Sequence, residues 1–139
     1  MIVVDTCILI DIADDDPTFA DGSIDCIASH QAEGVLLSPI SYVELAPVFA
    51  GSTQLLDEFL AGVGVDASEA FTAADRVTAF RAWSRHITEK RAARARRRPV
   101  ADALIGALAA RHDGIITRNG ADFRSFYPSL RIVDPTATS

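Results

Sequence analysis

No lysine or arginine occurs in the first 75 residues of this 139-residue chain, although that stretch carries fourteen acids. Any electropositive surface must therefore come from residues 76–139, which hold all 13 basic residues and only five acids. The net charge of −6 taken alone argues against a nucleic-acid partner, but this division suits a molecule with an acidic site and a separate basic surface. No apolar run approaches the length needed to cross a bilayer. The N-terminus has no basic n-region, and Asp5 interrupts its short apolar stretch, so no signal peptide is expected and the expected location is cytoplasmic. There are only two cysteines, Cys7 and Cys26, in no C-x-x-C pair and not at ligand spacing from a histidine. They read as small, reduced core residues and exclude a disulfide framework. The three histidines, His30, His86 and His112, fall near the ends of expected helices and read as solvated or capping residues. Repeats, low-complexity tracts and linkers are absent, and 49% hydrophobic with 23% charged residues is an ordinary globular composition. The length suits one domain around one core.

What is present alternates. Short apolar runs at 2–5 (IVVD), 35–38 (VLLS), 63–67 (VGVDA), 114–117 (GIIT) and 131–134 (RIVD) read as strands buried on both faces. Helical patterns fall between them, at 18–33 (with Gly22 and Ser23 as possible breaks), 38–46, 52–62, 72–97 and 99–113. Ser38 is placed to cap the second of these, with Pro39 at its first position and Pro47 to end or kink it. Pro99 opens the last, and Gly114 stops it. The expected fold is a three-layer α/β/α sandwich with a mainly parallel sheet of about five strands.

Ligands of open parallel sheets sit beyond the carboxyl ends of the strands. Asp5 falls there after the first strand, Glu44 on the helix after the second, and Asn119 and Asp122 after the fourth. Asp102 lies in the first turns of the helix before the fourth strand, at the edge of a stripe of Ala101, Leu104, Ile105, Leu108 and His112 and beside Gly106 and Ala109. Two unit charges 4 Å apart repel by about 4 kcal/mol at an effective dielectric near 20. Four converging carboxylates therefore demand protonation or a cation, and an oxygen-only set selects Mg²⁺ or Mn²⁺ over zinc. Each acid also has a plainer reading: Asp5 as a helix cap, Asp102 as a dipole partner, Glu44 and Asp122 as surface acids.

The segments MIVVDTCILID, SPISYVEL, ADALIGALAARHDGIITRNGADF and LRIVDP together resemble PIN-domain nucleases, and most closely the VapC-type toxins of toxin–antitoxin modules. The resemblance spans nearly the whole chain and implies a single PIN domain over 1–139. It implies an Mg²⁺- or Mn²⁺-dependent endoribonuclease that inhibits translation, with Asp5, Glu44, Asp102 and Asp122 as catalytic and metal-binding acids. Thr117, Asn119 and Thr6 match supporting positions. A VapB-type antitoxin and a homodimer are implied as partners. Residues 46–98 carry none of the family's motifs.

The residues agree on mechanism. With no histidine beside the four acids, a metal-activated water attacking phosphorus is favoured over attack by the 2′-hydroxyl of RNA. A DNA-directed nuclease, a phosphatase and a metal-free protein- or RNA-binding module remain alternatives. Asp5-Thr6-Cys7 lacks the D-x-D expected of an aspartyl phosphatase. The tract KRAARARRRP (90–99) is a candidate phosphate track or partner surface through Arg94, Arg96, Arg97 and Arg98.

Overall fold

Five short strands form one parallel sheet: β1 (Ile2–Val4), β2 (Val35–Leu36), β3 (Val65–Asp66), β4 (Ile115–Ile116) and β5 (Ile132–Val133), in the order β3-β2-β1-β4-β5. The structure is a computed structural model that describes residues 1–93 and 100–137, with backbone alone at 90–93. The register pairs Val3 with Leu36 on one side and with Ile115 on the other. All five strands fall where expected, and β1, β2 and β4 are buried on both faces as continuous apolar runs require, whereas the edge strands are not: Asp66 of β3 is exposed and both residues of β5 are half-buried.

Seven α-helices are described: α1 (Thr6–Ala13), α2 (Ala20–Ser29), α3 (Pro39–Glu44), α4 (Thr53–Val63), α5 (Ala73–Ala93), α6 (Val100–Arg111) and α7 (Gly120–Phe126). Strand side chains alternate between two cores. Val3, Leu36 and Ile115 face a cluster built with Ala82, Ile105, Leu108, Phe123 and Phe126 from α5, α6 and α7. Ile2, Val4, Val35 and Ile116 face Ile8, Leu9, Ile27, Leu56 and Leu60 from α1, α2 and α4. This is the period of two that places successive strand residues on opposite faces.

Local chemistry sets the helix ends. Ser38 and Ser52 accept from the backbone N–H of Ser41 and Leu55, and Pro39 occupies the first turn of α3. Pro47 follows the end of α3, where the chain tightens into a 3₁₀ turn at Ala46–Phe49. Gly64 ends α4 at φ +80°, a left-handed cap that a side chain would strain. Thr72 and Asp75 exchange hydrogen bonds of 2.9 and 3.1 Å at the start of α5. Among the described residues no helix is long and apolar enough to cross a membrane.

Four sequence expectations change. Gly22 and Ser23 do not break α2, which is continuous over Ala20–Ser29. His86 is neither solvated nor capping: it is 1% exposed, with its ring centroid 4.5 Å from that of Phe126. The reason is that α5 continues beyond it and packs its inner face, including Ala79 and Ala82, onto α6 and α7. Cys7 and Cys26 are free but only half-buried. The buried face of α6 is also broader than the expected stripe, taking in Ala103, Gly106, Ala107 and Ala109, because α5 and α7 both pack on it. Pro99, residues 94–97 of the expected long helix, and Arg94, Arg96, Arg97 and Arg98 of the basic tract lie outside the described residues.

Candidate active site

From β1 the chain steps outward to β2 and β3, then crosses back to β4 and β5 on the other side of β1. Such a reversal opens a crevice beyond the carboxyl ends of the two central strands. Asp5 and Thr117 follow β1 and β4 there. The ladder still holds their backbones, with Asp5 N–H donating to Ile116 at 2.9 Å and Thr117 N–H to Val133 at 3.0 Å.

Asp5 is 7% exposed and both of its carboxylate oxygens are engaged. Oδ1 accepts the Thr6 N–H at 2.8 Å, so Asp5 does cap α1. Oδ2 accepts the Thr117 hydroxyl at 2.8 Å and the Cys7 thiol at 3.3 Å. Thr117 is completed by the Asn119 N–H, which donates to its Oγ1 at 2.9 Å. Burial pushes the Asp5 carboxyl above its ordinary range and the nearby Glu44 adds to this, while the Thr117, Cys7 and Thr6 bonds restrain the rise. Burial, then the Asp5 charge, pushes the Cys7 thiol up to about 12. Cys7 is therefore a neutral donor at physiological pH and not a nucleophile.

A second arm reaches Glu44. Thr6 Oγ1 lies 2.8 Å from both Ser41 Oγ and Glu44 Oε1. A hydroxyl has one proton and a carboxylate only accepts, so Thr6 donates to Glu44 and accepts from Ser41. Ser38 Oγ lies 3.2 Å further back on Ser41. The chain Ser38–Ser41–Thr6–Glu44 thus ties the exposed Glu44 to the N-terminus of α1, one residue from Asp5.

The other two candidate acids lie on separate elements. Asp102 is half-buried in the first turn of α6, which packs against α3. Asp122 is half-buried in the first turn of α7, its N–H donating to the Asn119 carbonyl at 3.0 Å. The structure thus joins Asp5, Thr6, Glu44, Thr117 and Asn119 through hydrogen bonds. It does not close the four acids into one ligand set, for among the described residues no three His, Cys, Asp or Glu side chains are grouped to hold a metal ion.

Sequence reasoning missed Ser41, Cys7, Asp11 and Arg118. Ser41 was legible as the third residue after the Ser38 cap, and Cys7 as the second after Asp5. Asp11 is a buried acid paired with Arg118 across 107 positions, which no local pattern signals.

Solved structures share this fold. FitAcB from Neisseria gonorrhoeae superposes with a TM-score of 0.71 at 20% identity, over 99% of this chain and 100% of that one. FitAB bound to an IR36 DNA fragment gives 0.70 at 19% identity, over 100% and 98%. VapBC2 from Rickettsia felis, bound to a DNA fragment from its promoter, gives 0.67 at 19% identity, over 96% and 98%. No curated protein matches the sequence. The family model for the PIN domain matches residues 2–127, nearly the whole length over which the sheet, its helices and the Asp5 crevice are built, and the chain therefore belongs to the PIN domain family.

Proposed function

We propose that this protein is a divalent-metal-dependent endoribonuclease that hydrolyses RNA phosphodiester bonds as the toxin of a VapBC-type toxin–antitoxin pair. In this reading the whole chain is one PIN domain, acts in the cytoplasm to inhibit translation, forms a homodimer and is held in check by a VapB-type antitoxin. PIN domains are generally nucleases and typically use divalent metals. One observation carries the reading: a buried carboxylate at the crevice, disfavoured as a charge by burial and by Glu44, yet kept in place by three donors. A structural cap needs no second acid beside it, whereas a cation site does.

The donor chemistry fits a hard ion. The acids offer oxygen alone, which suits Mg²⁺ or Mn²⁺. Asp5, Glu44, Asp102 and Asp122 would hold it, and when bound it supplies an activated water and offsets charge on the phosphate. This chain's own residues prepare the site. Thr117 orients Asp5 through Oδ2, and Asn119 fixes Thr117 through its backbone N–H. Thr6 and Ser41 hold Glu44. Such supporting bonds keep a carboxylate aimed and favour its charged form.

The test is cleavage of a single-stranded RNA in Mn²⁺, with chelator, Asp5→Asn and Glu44→Gln as controls. Products bearing 5′-phosphate and 3′-hydroxyl ends, lost in all three controls, are expected because water is the nucleophile. A 2′,3′-cyclic phosphate would sink the mechanism, and equal cutting of the matching DNA strand would overturn the RNA assignment.

A further inference from the structure

Arg118 follows Thr117 directly, and its side chain reaches α1 at Asp11. Nε donates to Asp11 Oδ2 at 2.8 Å and Nη2 to Asp11 Oδ1 at 3.2 Å, a two-pronged fork. The guanidinium carbon also lies 4.0 Å from the centroid of the Phe19 ring, the residue that precedes α2. Asp11 is 7% exposed, so the fork is anchored in the body of the fold. The backbone N–H of Arg118 faces the Cys7 sulfur, which itself donates to Asp5.

We propose that Arg118 is a positioning residue: its fork onto Asp11 pins the loop 117–119 to α1, and so sets the Asp122 end of the site relative to the Asp5 end. This rests on the metal-nuclease reading above. Asp5 and Glu44 belong to β1 and α3 and are tied to α1 by Thr6. Asp122 belongs to α7, which starts immediately after the loop. The ladder fixes Thr117, and beyond it α7 is held from its inner face by Phe123 and Phe126, buried against α5 and α6. Past Thr117, Asn119 Nδ2 donates to Cys7 Sγ at 3.7 Å, and Arg118 adds two hydrogen bonds and a ring contact. The fork therefore adds a side-chain tether from loop 117–119 to α1, beside the Thr117 bond to Asp5 and the core packing of α7.

Positioning and simple electrostatics predict opposite signs. Arg118→Gln removes a positive charge from the neighbourhood of a cation site and leaves Asp11 unpaired. By charge alone, Mn²⁺ should bind more tightly. If the fork sets geometry, Mn²⁺ should bind more weakly, by about tenfold as for other supporting residues of metal sites.

The experiment is calorimetric titration of Mn²⁺ into wild type, Arg118→Gln, Arg118→Lys and Asp5→Asn, with amide hydrogen exchange at Asn119 and Asp122. Expected are roughly tenfold weaker binding in Arg118→Gln, faster exchange at both amides, and little rescue by lysine, which carries the charge without the fork. Should Arg118→Gln fail to fold, Phe19→Leu removes the ring beneath the guanidinium and keeps the ion pair, with about threefold weaker binding expected. Unchanged or tighter Mn²⁺ binding in Arg118→Gln, or full rescue by lysine, overturns the positioning role. If Asp5→Asn still abolishes binding in that case, the nuclease reading stands. Wild-type protein that binds no Mn²⁺ overturns both.

Discussion

Two substitutions at Asp5, to asparagine and to alanine, separate a strained charge from a simple cap when made in protein freed of divalent ions. Alanine removes the acceptor of the Thr6 N–H, a cap loss of about 1 kcal/mol. It also strips the acceptor from the Thr117 hydroxyl, which is 0% exposed, at about 1–3 kcal/mol. The total is about 3 kcal/mol, or a fall of roughly 10 °C in Tm for a domain of this size. Asparagine keeps an oxygen for Thr6 and can donate its amide to Thr117 Oγ1, whose hydroxyl both donates and accepts. It also removes the buried charge. Its stability at pH 7 should equal or exceed wild type, within about 1 kcal/mol.

The pH dependence gives the sign. Folding raises the Asp5 carboxyl above its ordinary value of 3.8, chiefly through burial. The stability from protonated Asp5 is then fully present below that value and lost as pH rises through the folded pKa. Wild type should therefore lose stability relative to Asp5→Asn across this window, while the asparagine variant has no such titration. Chelator-treated unfolding curves at several pH values read the difference. If asparagine proves as destabilising as alanine, with no trend in pH, Asp5 is a structural cap and the cation-site argument fails.

Thr117→Val deletes a bond that restrains the Asp5 pKa, so the acid limb of the cleavage profile should move to higher pH; a move to lower pH contradicts the assignment. Arg111 forks onto the 2%-exposed Asp75 at 2.8 and 3.0 Å, far along α6 from Asp102, so Arg111→Met should cost about 3 kcal/mol in urea unfolding and leave Mn²⁺ affinity unchanged. Although burial pushes Asp75 up, its bonds to Arg111 and Thr72 outweigh this and lower its pKa. Its contribution is thus present above the unfolded carboxyl pKa and lost as pH falls through the folded one, and Arg111→Met should flatten that acid limb of stability. Changing Arg96, Arg97 and Arg98 together to glutamine should flatten the salt dependence of single-stranded RNA binding, expected in wild type at a log–log slope of roughly −2 to −3 for three or four phosphate contacts. An unchanged slope with weakened antitoxin binding would assign that tract to a partner surface instead.

The fold was legible because its signals are local. Five apolar runs bounded by glycine, proline or polar residues marked the five strands, and the Ser38-Pro39 cap marked where α3 begins. The motifs D-T at 5–6, E-L at 44–45 and T-R-N-x-x-D-F at 117–123 also pointed to the crevice, since residues after parallel strands must emerge at one edge of the sheet. What the sequence alone could not decide was pairing across the fold. Thr117 meets Asp5 over 112 positions, Thr6 meets Glu44 over 38 and Arg118 meets Asp11 over 107. His86 was misread for the same reason, because its position near an expected helix end did not reveal that α6 and α7 would cover it. Sequence periodicity reports which face of an element is apolar; only the tertiary structure decides which other element that face, or a polar side chain beside it, will meet.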